Sequence, residues 1–139
     1  MFSPPKQSNF FNFTSFTRGL PCIFLFPTSN NNLIDKIPLT SPYSENPRKI
    51  SSVPANIVDW VLVELRETIN GSAISSKSFL LRNDGKIVED DGITENLSLN
   101  APQGLYYIVI KHRNHISIMS STALELNNTS STLHDFTKN

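Results

Sequence analysis

The chain has 139 residues, and its 12 Lys and Arg balance 12 Asp and Glu. That length holds at most one ordinary domain, and zero net charge argues against the one-sided excess of cations that a general grip on nucleic acid or an anionic membrane needs. No apolar run reaches the roughly 18 residues of a membrane-spanning helix, and the single cysteine, Cys22, excludes an internal disulfide framework and any multi-thiolate metal site.

Residues 1–35 read as a leader, either disordered or translated from a start placed too far upstream. Seven of the nine phenylalanines lie at or before Phe26, and Lys6 and Arg18 are its only charges before Asp35. Asn9-Phe-Phe-Asn-Phe-Thr-Ser-Phe16 keeps no period. Leu20-Pro-Cys-Ile-Phe-Leu-Phe26 is an apolar run with Pro21 inside it and Pro27 at its end, and no small-x-small cleavage site follows, so the three-part pattern of an export signal is incomplete. Residues 36–137 read as the folded module and 138–139 as a tail.

Ile37-Pro-Leu-Thr-Ser-Pro-Tyr-Ser-Glu-Asn-Pro47 is punctuated by proline, which fixes its own backbone and biases the preceding residue to extended forms, so an extended approach is expected. Ile57-Val-Asp-Trp-Val-Leu-Val-Glu-Leu-Arg66 alternates with period two and is rich in β-branched residues, which predicts a central strand. Asn70-Gly71 predicts a turn, Ser76–Arg82 a second strand, and Asn83-Asp-Gly85 a hairpin in which both Asp84 and Gly85 tolerate positive φ. Lys86–Val88 returns, Glu89-Asp-Asp-Gly92 turns again, and Ile93–Leu99 is a weaker strand broken at Asn96. Leu105–His112 is the best strand after the first, with Tyr106, Ile108 and Ile110 on one face. Pro102-Gln-Gly-Leu-Tyr106 fits a tyrosine corner, in which a hydroxyl near a strand start ties back to the preceding loop. Arg113-Asn114 turns the chain into His115–Met119. Leu124–Leu126 and Leu133–Thr137 complete the set.

Turns roughly every ten residues between short alternating strands predict an all-β fold, an antiparallel β-sandwich (immunoglobulin-like or prealbumin-like) behind an irregular N-terminal leader. Its chemistry is sparse. His112 and His115 flank a turn and invite a metal, but a structural site needs about four ligands and no further ligand has supporting spacing. The bland reading is a hydrogen-bonded turn capped by Asn114, with Arg113 on a carboxylate such as Glu64 or Asp59. Trp60 reads first as core and second as a sugar platform. With Tyr107, His112, Arg113 and His115 it makes the candidate ligand-binding set. Asp84, Glu89, Asp90 and Asp91 offer calcium at most weak ligation, because the alternating spacing of a calcium loop is absent. No Gly-x-Ser-x-Gly, phosphate loop or dinucleotide fingerprint occurs, so no catalytic residue, no cofactor and no enzyme are expected.

Two stretches carry a resemblance. Val-Asp-Trp-Val-Leu-Val-Glu-Leu-Arg66 and Tyr-Tyr-Ile-Val-Ile-Lys-His-Arg-Asn-His115, in this order and at this separation, together with Phe79-Leu-Leu-Arg-Asn-Asp-Gly85 and Leu133-His-Asp-Phe-Thr137, resemble a module of large secreted proteins of Bacteroidetes and relatives, usually described as hypothetical or hemagglutinin-like. The likeness covers roughly residues 36–137. It implies a non-catalytic, extracellular or cell-surface β-sandwich acting as a structural, linker or adhesion unit. Neighbouring domains of a longer protein are its implied partners. In that family a dockerin-like calcium segment and a sorting domain for type IX secretion usually follow, so the chain is expected to be a fragment. The alternative is a stand-alone domain that binds a carbohydrate or a protein.

Overall fold

The computed structural model of the chain describes residues 36–127 and 134–136 with their side chains, and residues 9–13 and 133 as backbone. In chain order the strands are β1 (Asn9–Phe13), β2 (Ile57–Arg66), β3 (Ala73–Arg82), β4 (Ile87–Val88), β5 (Asn96–Leu99), β6 (Gly104–His112), β7 (His115–Met119), β8 (Leu124–Leu126) and β9 (Leu133–His134). No α-helix occurs among the described residues, and none of them forms a helix long and apolar enough to cross a membrane.

Six strands make an open sheet in the order β4-β3-β2-β6-β7, with β8 beside β7 on the same edge of β6. Every pairing in it is antiparallel. The strand β2 is central because it is apolar on both faces: Asp59 to Leu65 are all buried. Val61, Val63 and Leu65 point to one side, where they pack with Phe79, Ile108, Ile110 and Leu126. Leu97 and Leu99 of β5 close that core from above. On the other side Trp60, Leu80 and Val88 meet Ile37 and Ile50 of the proline-rich approach. Full burial of one such side chain is worth about 1.5–3 kcal/mol, so covering both faces is what stabilises the sheet.

The approach is more than extended chain. It forms a strap, closed by Ser41 N–H to the Arg48 carbonyl at 2.7 Å and Ile50 N–H to the Leu39 carbonyl at 2.9 Å. The strap is tied to β3 through Ser78. The Ser78 hydroxyl donates to the Asn46 carbonyl at 2.6 Å, so Ser41 must donate to Ser78 Oγ, also at 2.6 Å. Glu89 fastens the same edge, reaching Arg48 Nη2 at 2.9 Å, Lys77 Nζ at 3.1 Å and the Ser98 amide at 2.9 Å.

Several expectations need correction. The strand β3 begins at Ala73, since pairing with β2 runs out to Arg66. Asn96 opens β5 instead of breaking a longer strand, and β9 is two residues long. In the β3–β4 hairpin only Gly85 has positive φ, at 84°. Gly85 N–H donates to the Arg82 carbonyl and Arg82 N–H to the Lys86 carbonyl, the pattern of a three-residue loop closed by one left-handed glycine. Asn70-Gly71 turns without positive φ, through Gly71 N–H to the Thr68 carbonyl. Residues 9–13 of the irregular leader are strand β1, antiparallel to β5 and parallel to β9 in a second sheet of order β5-β1-β9. Such pairing is invisible in a segment without period, because the partner supplies the register. The run Leu20–Phe26, with Cys22, lies outside the described residues.

The tyrosine corner is present: Tyr106 Oη donates to the Pro102 carbonyl at 3.0 Å. Tyr106→Phe is expected to lower stability by about 1 kcal/mol, the net worth of one such bond. In urea this should appear as a lower midpoint with an unchanged slope.

Candidate functional site

Antiparallel pairing of β2 with β6, with Leu62 opposite Lys111, brings the start of β2 beside the end of β6. At that corner five polar side chains meet. Asp59 is 6% exposed. Its Oδ1 accepts the Trp60 amide at 2.8 Å and lies 2.9 Å from Arg113 Nη2, while Oδ2 accepts Arg113 Nε at 3.0 Å. The second oxygen also lies 3.1 Å from His112 Nε2. That contact is close but not aligned as a hydrogen bond.

The other side of the His112 ring is equally engaged. Its Nδ1 accepts the Asn114 amide at 3.2 Å and lies 2.8 Å from His115 Nδ1, with the two rings edge to face at 61°. Tyr43 arrives from the strap. Its hydroxyl accepts the Arg113 amide at 3.1 Å and lies 3.1 and 3.2 Å from the Lys111 and Trp60 carbonyls. Strap, central strand and β6–β7 turn therefore share one hydrogen-bonded cluster.

Each shift in proton affinity here has a local cause. Burial pushes the Asp59 carboxyl up, but the nearby His112, the Trp60 amide and Arg113 outweigh it and hold it below the ordinary carboxylate range. Burial pushes the Tyr43 phenol up to about 12, against the opposing pull of the Arg113 amide. Burial lowers His115, as does the neighbouring His112, with Asp59 opposing. Away from the corner, Glu64 is 3% exposed, and there burial is outweighed by Lys111 and Arg66.

Of the candidate ligand residues, His112, Arg113 and His115 do come together, with Arg113 on Asp59. Glu64 takes Lys111 and Arg66 instead. Asn114 contributes its backbone N–H to the turn. Trp60 is fully buried, with Nε1 donating to the Pro38 carbonyl at 2.8 Å, so the sugar-platform reading gives way to core. Tyr107 stands opposite Arg66, five residues up β6 from His112, which is about 17 Å at the rise of a strand. The proposed ligand set is therefore not one site. The acids do not converge either. Asp84 holds Arg82, Glu89 and Asp90 hold Arg48, and Asp91 accepts the Ile93 and Thr94 amides. Among the described residues no group of three or more His, Cys, Asp or Glu is placed to hold a metal. Tyr43 was not foreseen, and a proline-flanked tyrosine on a strap gives no signal of reaching a turn 70 residues away.

No family model, curated protein or solved structure matches this chain. The functional reading therefore rests on the cluster and on what it leaves available.

Proposed function

We infer that the chain is a non-catalytic β-sandwich module, immunoglobulin-like or prealbumin-like, serving as a structural, linker or adhesion unit of a bacterial cell-surface protein. The carrying observation is the fate of the most chemical-looking residues. Tyr43, Asp59 and Arg113 spend their polar atoms on one another and on nearby backbone, and His112 gives its Nδ1 to the Asn114 amide, so strap, central strand and turn are locked together. A catalytic set would instead aim groups at a space where a reacting atom can sit. Two further observations support the reading. Leu97 and Leu99 bring the small sheet onto the large one, as a second layer would. The two stretches that carry the resemblance to secreted Bacteroidetes modules are β2 with its start and β6 with its turn, and they are direct neighbours in the sheet.

The test has two parts. Pulled from its ends in a force spectrometer, the full chain should resist and then unfold in one cooperative step. Extension without a force peak would remove the structural role. Glycan and matrix-protein arrays decide between this unit and the stand-alone binding domain. A saturable signal abolished by Tyr107→Ala or His115→Ala would replace the present reading with the second.

A further inference from the structure

Asn70-Gly71 is the only Asn-Gly pair in the chain. It lies in the loop 67–72 between β2 and β3, whose base is the Arg66–Ala73 pair. Glu67, Thr68, Ile69 and Asn70 are all exposed. Thr68 to Gly71 form a β-turn, closed by Gly71 N–H to the Thr68 carbonyl at 3.1 Å. None of these residues has positive φ, so the turn is of type I and not of type II or a primed type. The Asn70 side-chain amide has no hydrogen-bond partner among the described residues, whereas Asn46 Oδ1 is held by the Ser78 amide at 3.0 Å.

We propose that Asn70 is a site of spontaneous, one-way modification, in which the Gly71 nitrogen attacks the Asn70 side-chain amide and the loop ages to aspartate and isoaspartate. Hydroxide takes the Gly71 amide proton, and the nitrogen bonds to Asn70 Cγ. The side-chain nitrogen leaves as ammonia after taking a proton from water, which returns the hydroxide. Water then opens the succinimide ring at either carbonyl. One opening gives aspartate. The other gives isoaspartate, in which the main chain runs through the side-chain carbonyl. The net change is one water added and one ammonia lost, with no oxidant and no metal. Glycine permits the attack because it has no Cβ to shield its nitrogen.

The fold sets the rate. Gly71 N–H is committed to the Thr68 carbonyl, so the nitrogen can lose its proton only when that bond opens. The net worth of one such bond is a factor of about five in population. The residues around it are exposed, so opening the turn needs no rupture of the core. Because Gly71 lacks positive φ, alanine suits its backbone. The added Cβ would meet Thr68 Oγ1 at 2.5 Å, the end of a side chain that can rotate aside. Alanine at this position therefore keeps the fold and shields the nitrogen. The modified loop carries a new carboxylate beside that of Glu67, and a chain of zero net charge becomes one unit negative.

Incubation of the full chain in mildly alkaline buffer, followed over time by mass spectrometry of its tryptic peptides, tests the site. The peptide 67–77, released by cleavage after Arg66 and Lys77, should gain one mass unit and separate into aspartate and isoaspartate forms. Peptides carrying the other asparagines should convert more slowly. A synthetic peptide 67–77 should convert about fivefold faster than the folded chain. Gly71→Ala should slow conversion at least about tenfold, with a urea midpoint close to that of the wild type. In Asn70→Gln the mass gain in this peptide should vanish. Three results would overturn the proposal: Asn70 intact in the folded chain after the free peptide has converted fully, conversion spread evenly over the asparagine peptides, or a folded Gly71→Ala chain that converts at the wild-type rate.

Discussion

Replacing Trp60 with alanine is expected to cost about 3–5 kcal/mol, the range of large aromatic truncations in a packed core. The indole is fully buried among Ile37, Ile50, Leu80 and Val88, which come from the strap, β3 and β4 and have no common way to collapse into the gap. The substitution also strands the Pro38 carbonyl, which takes the indole N–H at 2.8 Å. A domain of this size has about 5–15 kcal/mol in all, so the variant should lose a large share of its urea midpoint and bind a hydrophobic dye before full unfolding. Trp60→Phe keeps most of the volume and should lose markedly less. Native fluorescence should peak at the short wavelength of a dry indole. If Trp60→Ala shifts stability by less than about 0.5 kcal/mol, as an exposed platform residue would, the packing of the strap on this face is wrong.

That result bears on how much the sequence discloses. Period-two alternation places β2 and β6 correctly because burial on a pleated strand leaves that period in the residues themselves. The turn at Gly85 and the tyrosine corner are equally legible, since each depends on residues within about five positions of one another. What the sequence hides is the second use of each face. Nothing beside Glu64 in the chain marks it as buried, yet it is, because Lys111 from the neighbouring strand and Arg66 neutralise it. The strap reads as a mere approach, yet Ile37 and Ile50 cover the far face of the sheet and Tyr43 reaches the β6–β7 turn. These contacts join residues far apart in the chain, and no local pattern encodes them. The same holds for Asp59. Its pairing with Arg113 stands among the sequence alternatives, but its grip on His112 appears only when the corner is assembled.

Asp59 is therefore the residue whose loss should disturb the corner most. Asp59→Ala is expected to cost about 3 kcal/mol at pH 7, near the lower end of the range for breaking a buried pair by removing one partner. The lower end applies because the Arg113 side chain is 39% exposed and can recover water, whereas His112, at 4%, and the Trp60 amide cannot. Asp59→Asn keeps an acceptor for that amide but turns the other oxygen into an N–H donor facing Arg113 Nε, so it should cost about 2 kcal/mol. The pH dependence separates charge from shape. The folded carboxyl lies below its ordinary value, so at a pH well above that value the wild type gains the full contribution, and the gain disappears as pH falls through the folded value. The stability gap between wild type and Asp59→Asn should thus be wide at pH 7, at least as wide at pH 5, and close below about pH 4. His115 acts in a separate window. Its proton affinity is lowered on folding, so the unfolded chain takes up the proton first and stability declines as pH falls below the ordinary histidine value of about 6.5. The half-buried His134 adds a decline of the same sign. Asp59→Asn removes the charge that opposes the lowering of His115, so its decline in the histidine window should be the steeper of the two, and it should lack the carboxylate decline. A gap that stays constant from pH 7 to pH 3 would mean that Asp59 holds the corner by shape alone, and that Arg113 and His112 are not held by its charge.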